Sequence, residues 1–320
     1  MKVLVTGSGG YVGSVVAREL LRDGHTVVGF DLLKYGGDAV LGLYPEQNFT
    51  FIKGDVRARA ALEPALAGVD AIVHLAALVG DPACGRDKGL ARALNLDASL
   101  QLFDLARARG VKRFLFASTC SNYGKMQNAD FLTEDSELRP VSLYAETKVA
   151  VETHLLASDQ KVETVVLRFA TVFGLSPRMR FDLTVNEFTM DALTKRKLVV
   201  YGEQFWRPYV HVRDAARAIG LAIAAPSAKA AGKVFNVGDT EQNFTKKQLV
   251  EMVVAEVGDD VAVDYVHRDE DPRDYRVSFA RAARELGFSI TRTVRDGIHE
   301  VADALRHGVI TDLDNPRYRE

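Results

Sequence analysis

Short apolar runs alternate with stretches whose apolar residues recur every three or four positions, and this rhythm governs the first half of the chain. Residues 2–6 read as a buried strand, and from Gly13 to Arg22 the apolar Val15, Val16, Leu20 and Leu21 fall at helical spacing, with Gly24 placed to end the helix. A second strand covers 26–30 and stops at Asp31. Further strands are predicted at 49–53, 71–75, 113–117 and 164–169, with helices near 90–109 and 143–157. Strand and helix in strict alternation predict an α/β fold, a doubly wound parallel sheet. After Gly174 the rhythm loosens. A Pro/Arg-rich loop at 176–182 precedes a helix at 183–195 and a short strand at 198–201, and segments 209–212 and 234–238 are predicted to return as sheet strands. Helices at 246–257 and 294–306 complete the pattern. It divides the chain into a dinucleotide-binding domain, 1–175 with returning strands around 209–238, and a smaller C-terminal substrate-binding lobe made of 176–208 and 239–320.

Composition narrows the class without choosing a chemistry. The 320 residues exceed the usual single-domain size, which agrees with a domain plus a lobe. With 47% hydrophobic and 26% charged residues and a net charge of -2, the chain reads as an ordinary soluble protein with no nucleic-acid footprint. Any basic patch is local and serves a small anion. The chain opens directly on a strand, with no leader pattern and no apolar run suited to a membrane, so export is not expected. Two cysteines, Cys84 and Cys120, make neither a disulfide framework nor a metal site, and the expected setting is the reducing cytoplasm.

The turn after the first strand carries the first chemical signal. In Gly7-Ser-Gly-Gly10-Tyr11-Val12-Gly13, glycines permit a tight turn whose N–H groups approach a pyrophosphate at the positive end of the next helix. Asp31, at the end of the second strand, has the spacing and chemistry of a ribose diol acceptor. Its carboxylate would repel a 2'-phosphate and no arginine immediately follows it, so the expected cofactor is NAD rather than NADP. Asp55 and Val56 after the third strand are placed to flank the adenine, although Asp55 reads as well as a loop or capping residue. Small residues in Leu75-Ala76-Ala77 would let a cofactor lie close.

Tyr144 and Lys148 carry the second signal. Residues four apart share a helix face, so both can enter one cleft. A phenol with a pKa near 10 must fall about three units, roughly 4 kcal/mol, to act as a base near neutrality. A neighbouring ammonium and a positive nicotinamide ring supply that bias.

Thr6-Gly7-x-x-Gly10-x-x-Gly13, His74-Leu-Ala-Ala77, Ser118-Thr119, Tyr144-x-x-x-Lys148 and the segment from Trp206 to Asp214 resemble the extended short-chain dehydrogenase/reductase family, whose members are mostly nucleotide-sugar epimerases, dehydratases and reductases on a Rossmann fold. The resemblance covers nearly the whole chain. It implies that Tyr144 takes a proton from a sugar hydroxyl, most often at C4, while hydride passes to NAD and leaves a keto sugar. Lys148 would also bond the nicotinamide ribose, Thr119 would orient the reacting hydroxyl, and Asn95 would join the cofactor site. In the family's 4,6-dehydratases an Asp and a Glu follow the catalytic threonine; here Cys120 and Ser121 stand there, which speaks against dehydration and for 4-epimerisation. The resemblance makes Cys120 and Ser121 candidate substrate contacts; relatives that epimerise at C3 and C5 use a cysteine as acid/base one place further on, where Ser121 stands, and Cys120 also reads as a buried filler.

For the substrate, Arg207 and Arg273 match family arginines that bind pyrophosphate, and Tyr201 matches the short strand that meets the nucleobase. The asparagine that many relatives carry where Thr171 or Val172 stands is missing, with Asn186, Arg178 and Arg180 as possible replacements. Each of these arginines reads alternatively as a solvated surface pair. His211 and Asp214 read as structural, Asp214 as a helix cap, and His74 as a core histidine; no metal site is expected. The runs from Leu75 to Cys84 and from Ser176 to Asp182 resemble a narrower subset that includes dehydrogenases of GDP-linked heptoses, which keeps a net 4-dehydrogenase or 4-ketoreductase open. Helices near 95–108 and 144–156 are expected to pair two copies as a homodimer. A reading of another class is a silent NAD(H)-binding redox sensor.

Overall fold

The computed structural model describes residues 1–126, 130–159, 161–271 and 273–320; Pro272, inside the run from Asp271 to Asp274, lies outside the described residues. Among the described residues twelve strands form three sheets: β1 (Lys2–Thr6), β2 (Thr26–Asp31), β3 (Phe49–Lys53), β4 (Ala71–His74), β5 (Arg113–Thr119), β6 (Glu163–Phe169), β7 (Thr171–Phe173), β8 (Lys197–Tyr201), β9 (Trp206–His211), β10 (Lys233–Val237), β11 (Asn243–Thr245) and β12 (Ala262–Val266). The large sheet has seven parallel strands in the order β10-β6-β5-β4-β1-β2-β3. This is the doubly wound, Rossmann-like fold that the alternation predicted.

Both faces of the sheet are covered, which explains why its strands are continuous apolar runs rather than alternating ones. Leu4, Ile72, Phe114, Phe116 and Val166 pack on one side with Leu102, Phe103, Val151 and Leu155 of helices Ala98–Ala108 and Leu143–Leu156. Val3, Val5, Val73, Leu115 and Leu167 pack on the other with Val16 and Leu20 of helix Gly13–Arg22 and with Ala215 and Ile219 of helix Val212–Ala224. Strand order reverses between β1 and β4, and the carboxyl ends of the strands at such a switch point are where doubly wound sheets hold their ligands.

The chain beyond β6 differs from the sequence reading in how its strands are shared between sheets. Only β10 returns to the large sheet; β9 lies between β7 and β11 in a sheet of its own. Apolar residues at 209–212 cannot reveal which of two sheets takes the strand, because β7 and β11 are three residues each. Helices Thr184–Lys195, Lys246–Val257 and Val294–Arg306 bury Val185, Leu249, Val253 and Ile298 against Leu198 and Val200 of β8. Asp214 does not cap its own helix. His211 does, accepting from Arg213 N–H at 3.2 Å, while Asp214 accepts from Thr291 and Arg292 and ties two segments together. No helix among the described residues is long and apolar enough to cross a membrane.

Candidate active site

The glycine turn is locked by close backbone contact. Gly7 has φ +75°, and a Cβ there would lie 2.8 Å from the Ala76 nitrogen; at Gly13 a Cβ would run into the Gly7 carbonyl. Gly10 N–H donates to Gly7 O at 3.0 Å, closing the turn before the helix. The Asp31 carboxylate accepts from Gly9 N–H at 2.9 Å and from Leu33 N–H at 2.6 Å, which fixes it beside the turn. Thr6 anchors the facing wall: its carbonyl and hydroxyl accept from Leu75 and Ala76 N–H, at 3.2 and 3.3 Å. Its hydroxyl also meets His74 Nδ1 at 2.7 Å, and the other ring nitrogen meets Ser99 at 2.9 Å. His74 is therefore a satisfied core histidine, and burial drops its pKa to about 3.

Three residues assigned to cofactor binding are engaged elsewhere through their side chains. Tyr11 donates its phenol to Gly174 O at 2.6 Å, so only its backbone is left for a ligand at the turn, as it is for Val12. Asn95 sits in a π-helical turn, Ala93–Asp97, accepts from Leu78 N–H at 2.8 Å and donates to Leu78 O at 2.9 Å. It shapes the loop after β4 rather than facing a cofactor, because an inward-bulged turn presents it to buried backbone that needs partners. The Asp55 carboxylate is forked by Arg57, at 3.0 and 2.5 Å, and its pKa is lowered first by that bond. Val56 is buried beside it.

Tyr144 and Lys148 lie one turn apart on helix Leu143–Leu156, which Ser142 caps by accepting from Ala145 N–H at 3.3 Å. Lys148 is 3% exposed, donates to Ala117 O at 2.8 Å, and lies 4.7 Å from the Phe116 ring and 5.9 Å from the Tyr144 ring. Burial lowers its pKa to about 8, against the pull of Glu152. Burial pushes the Tyr144 phenol up, so the chain by itself does not make that phenol acidic. Of the two charges expected to lower the phenol, the ammonium by itself does not outweigh burial, which leaves the nicotinamide ring to supply the rest. Thr119, at the end of β5, accepts from Ser121 N–H at 3.0 Å and keeps its own hydrogen to donate.

One buried ion pair holds these parts together. Arg168 of β6 and Glu152 meet at 2.7 Å, 5% and 2% exposed, and Glu152 also accepts from Ser118 and from Asn122 at 2.7 Å. The end of β5, the Tyr144 helix and β6 are therefore clamped by one carboxylate. Neither partner stood out in the sequence, since a Glu one turn past a Lys is commonplace on helix surfaces.

The residues after Thr119 diverge. Cys120 points into the core, its thiol donating to Arg168 O at 3.3 Å and its pKa raised by burial, so it neither touches a substrate nor serves as an acid/base. Ser121 faces the Tyr275 hydroxyl at 3.3 Å. Tyr275 escaped the sequence reading, although it directly follows the run from Asp271 to Asp274.

The expected substrate cations are already paired. Arg207 binds Asp271 at 2.6 Å and the carbonyls of Trp206 and Arg273; Arg273 meets Asp81 at 3.1 Å. Lys246, another residue the sequence reading missed, meets Asp271 at 3.6 Å and Tyr201 O at 2.7 Å. Arg180 is forked on Asp182 at 2.9 and 2.8 Å. Asn186 is fully buried and spends its amide on Gly174 N–H (2.9 Å), Arg180 O (2.9 Å) and the Tyr11 phenol (3.2 Å), so it cannot replace the missing asparagine. The Tyr201 ring is half exposed on β8 beneath Arg268. Arg178 lies away from these, stacked 4.0 Å over Tyr35 near the loop after β2, with Nε and Nη1 buried and unpartnered.

Residues 3–238 match the model of the NAD dependent epimerase/dehydratase family. The chain belongs to that family. An uncharacterized UDP-glucose epimerase YtcB of Bacillus subtilis is 30% identical over 317 residues, covering 94% of this chain and 97% of the relative. A dTDP-glucose 4,6-dehydratase of Streptomyces griseus is 30% identical over 307 residues, covering 92% and 91%. A Thermus thermophilus UDP-glucose 4-epimerase, solved as a complex with NAD, superposes with a TM-score of 0.84 at 26% identity, covering 97% of this chain and all of the other. Membership makes this an NAD-dependent enzyme of the extended short-chain dehydrogenase/reductase group. The residues fit the family's cofactor: the turn at Gly7 and Gly13 leaves backbone open where a Cβ would fill the space, and Arg178 offers a buried guanidinium whose Nε and Nη1 have no partner.

Proposed function

We propose that the protein is a nucleotide-sugar 4-epimerase. The observation that carries this reading is the pair after Thr119: Cys120 is turned into the core and Ser121 rests on Tyr275, so neither supplies the acid and base that water loss requires. The turn at Gly7, Gly10, Tyr11 and Val12, with Asp31, would hold the dinucleotide, and Tyr144 and Lys148 would border its nicotinamide. When bound, NAD supplies a hydride acceptor that can give the hydride back. Thr119 donates to the sugar oxygen and orients it. Tyr144 would act as the phenolate, favoured by Lys148 and the positive nicotinamide ring: it takes the proton of the C4 hydroxyl and returns it once the sugar has presented its opposite face. Lys148 holds positive charge beside that phenol, and the Glu152–Arg168 pair holds the helix against β5. The diphosphate would exchange carboxylate partners at Arg207, Lys246 and Arg273.

Residues 1–175 with strands around 209–238 form the cofactor part in this reading, and 176–208 and 239–320 the sugar-nucleotide part. Helices Ala98–Ala108 and Leu143–Leu156 pair two copies, and the setting is the cytoplasm. Purified protein incubated with UDP-, GDP-, dTDP- and CDP-sugars tests the reading: a new C4 epimer without net change in cofactor absorbance is expected. The second reading, a net 4-dehydrogenase or 4-ketoreductase, rests on the resemblance of the runs from Leu75 to Cys84 and from Ser176 to Asp182 to GDP-heptose dehydrogenases. A keto sugar accumulating with reduced cofactor would replace the first reading with the second.

A further inference from the structure

The last residues of the chain join three segments that each border the cofactor crevice. Tyr318 is buried on the Phe181 ring at 5.6 Å, and its carbonyl accepts from Phe181 N–H at 2.9 Å. Arg317 pairs with Asp38 at 3.0 Å. Glu320 is held from every side: its carboxylate accepts from the Tyr35 phenol at 2.6 Å and lies 3.6 Å from Arg178, its carbonyl accepts from Arg86 at 2.9 Å, and its N–H donates to Asp182 at 3.1 Å. Tyr35 is four residues past Asp31. Arg86 ends helix Asp81–Arg86, in the loop that follows Ala76 and Ala77. The 176–182 loop lies against the glycine turn, since Ser176 donates to Tyr11 O at 2.6 Å. A cavity of about 160 Å³ remains beside these contacts, lined by Tyr35, Gly36, Asp38, Arg178, Arg317 and Tyr318.

Arg178 is the unexplained group in this arrangement. Its side chain is 6% exposed; Nη2 donates to Arg319 O at 3.3 Å and pairs with the Glu320 carboxylate at 3.6 Å, whereas Nε and Nη1 have no partner. Leaving two nitrogens of a buried guanidinium unpartnered is costly unless a further acceptor completes them. The acceptor with a reason to be there is a phosphoryl group of the dinucleotide.

We propose that residues 317–320 form a strap that closes over the bound dinucleotide, with Arg178 beneath it as a phosphoryl contact, so that the cofactor stays in place between successive hydride transfers. The strap depends on the family's cofactor and not on the epimerase reading, so each can fail alone: the sugar panel tests one and cofactor exchange tests the other. Retention is what epimerisation requires of a cofactor that must return its hydride to the same sugar.

The test is the rate of cofactor exchange in the full chain. Protein loaded with NADH is mixed with excess NAD, and the decay of NADH fluorescence gives the release rate; the rise on mixing apo protein with NADH gives association. A cover that must open slows both directions, whereas a contact slows release alone. The double variant Arg86→Ala with Glu320→Ala is expected to speed release and association together, each roughly tenfold. Arg178→Met is expected to speed release roughly tenfold with association no faster. Unfolding midpoints within a few degrees of the parent show that both fold. Release within twofold of the parent in the double variant, or faster release without faster association, overturns the strap; unchanged release in Arg178→Met overturns the phosphoryl contact.

Discussion

The glycine turn and the cation cluster around Arg207 both serve phosphate in our reading, and they are built in opposite ways. The turn offers backbone N–H groups at a helix start, held by close contact between Gly7, Gly13 and the loop after β4. The cluster offers long side chains that already carry counter-charges, Arg207 and Lys246 on Asp271 and Arg273 on Asp81. Burial works against the Asp271 carboxylate, and Arg207 outweighs it, holding its pKa low. The difference teaches how each half tolerates being empty. A backbone turn has no net charge to neutralise. Buried cations without an anion would destabilise the lobe, so the chain provides carboxylates that a diphosphate must displace.

The sharpest challenge to this contrast is to unpair a charge where no ligand can replace the partner. Arg168→Met leaves Glu152 buried without its ion-pair partner and should cost about 3–5 kcal/mol of stability, read by denaturant unfolding. A loss below about 1 kcal/mol would mean that water reaches the pair and that the clamp on β5 is loose. Tyr144→Phe comes next, at the seam between the two halves. It should lower kcat about 10²–10³-fold, roughly 3–4 kcal/mol, while cofactor affinity stays within a few-fold, because the turn is untouched. Normal turnover in that variant would remove the phenol from the chemistry.

Smaller effects separate the counter-charges from the catalytic pair. Asp81→Asn leaves Arg273 only its longer pairing with Asp271 at 3.9 Å and should lower the KM for a nucleotide sugar several-fold with kcat unchanged, because a half-exposed pair is weak to begin with. A raised KM would make Asp81 part of the substrate site instead. The pH response is the mildest test. Lys148 loses its charge as pH rises through about 8, so kcat/KM of the free enzyme should fall above that value. Its folded pKa lies below the ordinary 10.5, so between about 8 and 10.5 the unfolded chain binds more protons there, and this group's contribution to stability rises with pH. Activity and this contribution therefore move in opposite directions across the same window. Parallel loss of activity and folded fraction would trace the activity change to unfolding.

The first six strands were legible because a parallel sheet covered on both faces writes each strand as a plain apolar run. The glycine turn, Asp31, Thr119, Tyr144 and Lys148 stood out as candidates because the motifs that mark them span only a few neighbouring residues. β7 and β11 were not, since three residues are too few to show a period, and β12 was not, since it is mostly exposed and carries no apolar run. The same distance hid the fate of the polar side chains. Nothing near Asn186 shows that Gly174 and Arg180 will consume its amide, and nothing near Arg178 announces Glu320. Sequence periodicity reports burial, whereas the partner of a buried polar group is a property of the finished fold.

The route of the chain through β10 carries a consequence for anyone recombining this enzyme with its relatives. The polypeptide leaves the large sheet at Phe169, lays down β7 to β9 elsewhere, then comes back at Lys233 to supply the edge beside β6. A single crossover point therefore cannot trade one specificity for another. Any chimera needs junctions on both sides of β10, and a growing chain on the ribosome cannot finish its largest sheet until residue 237 has emerged.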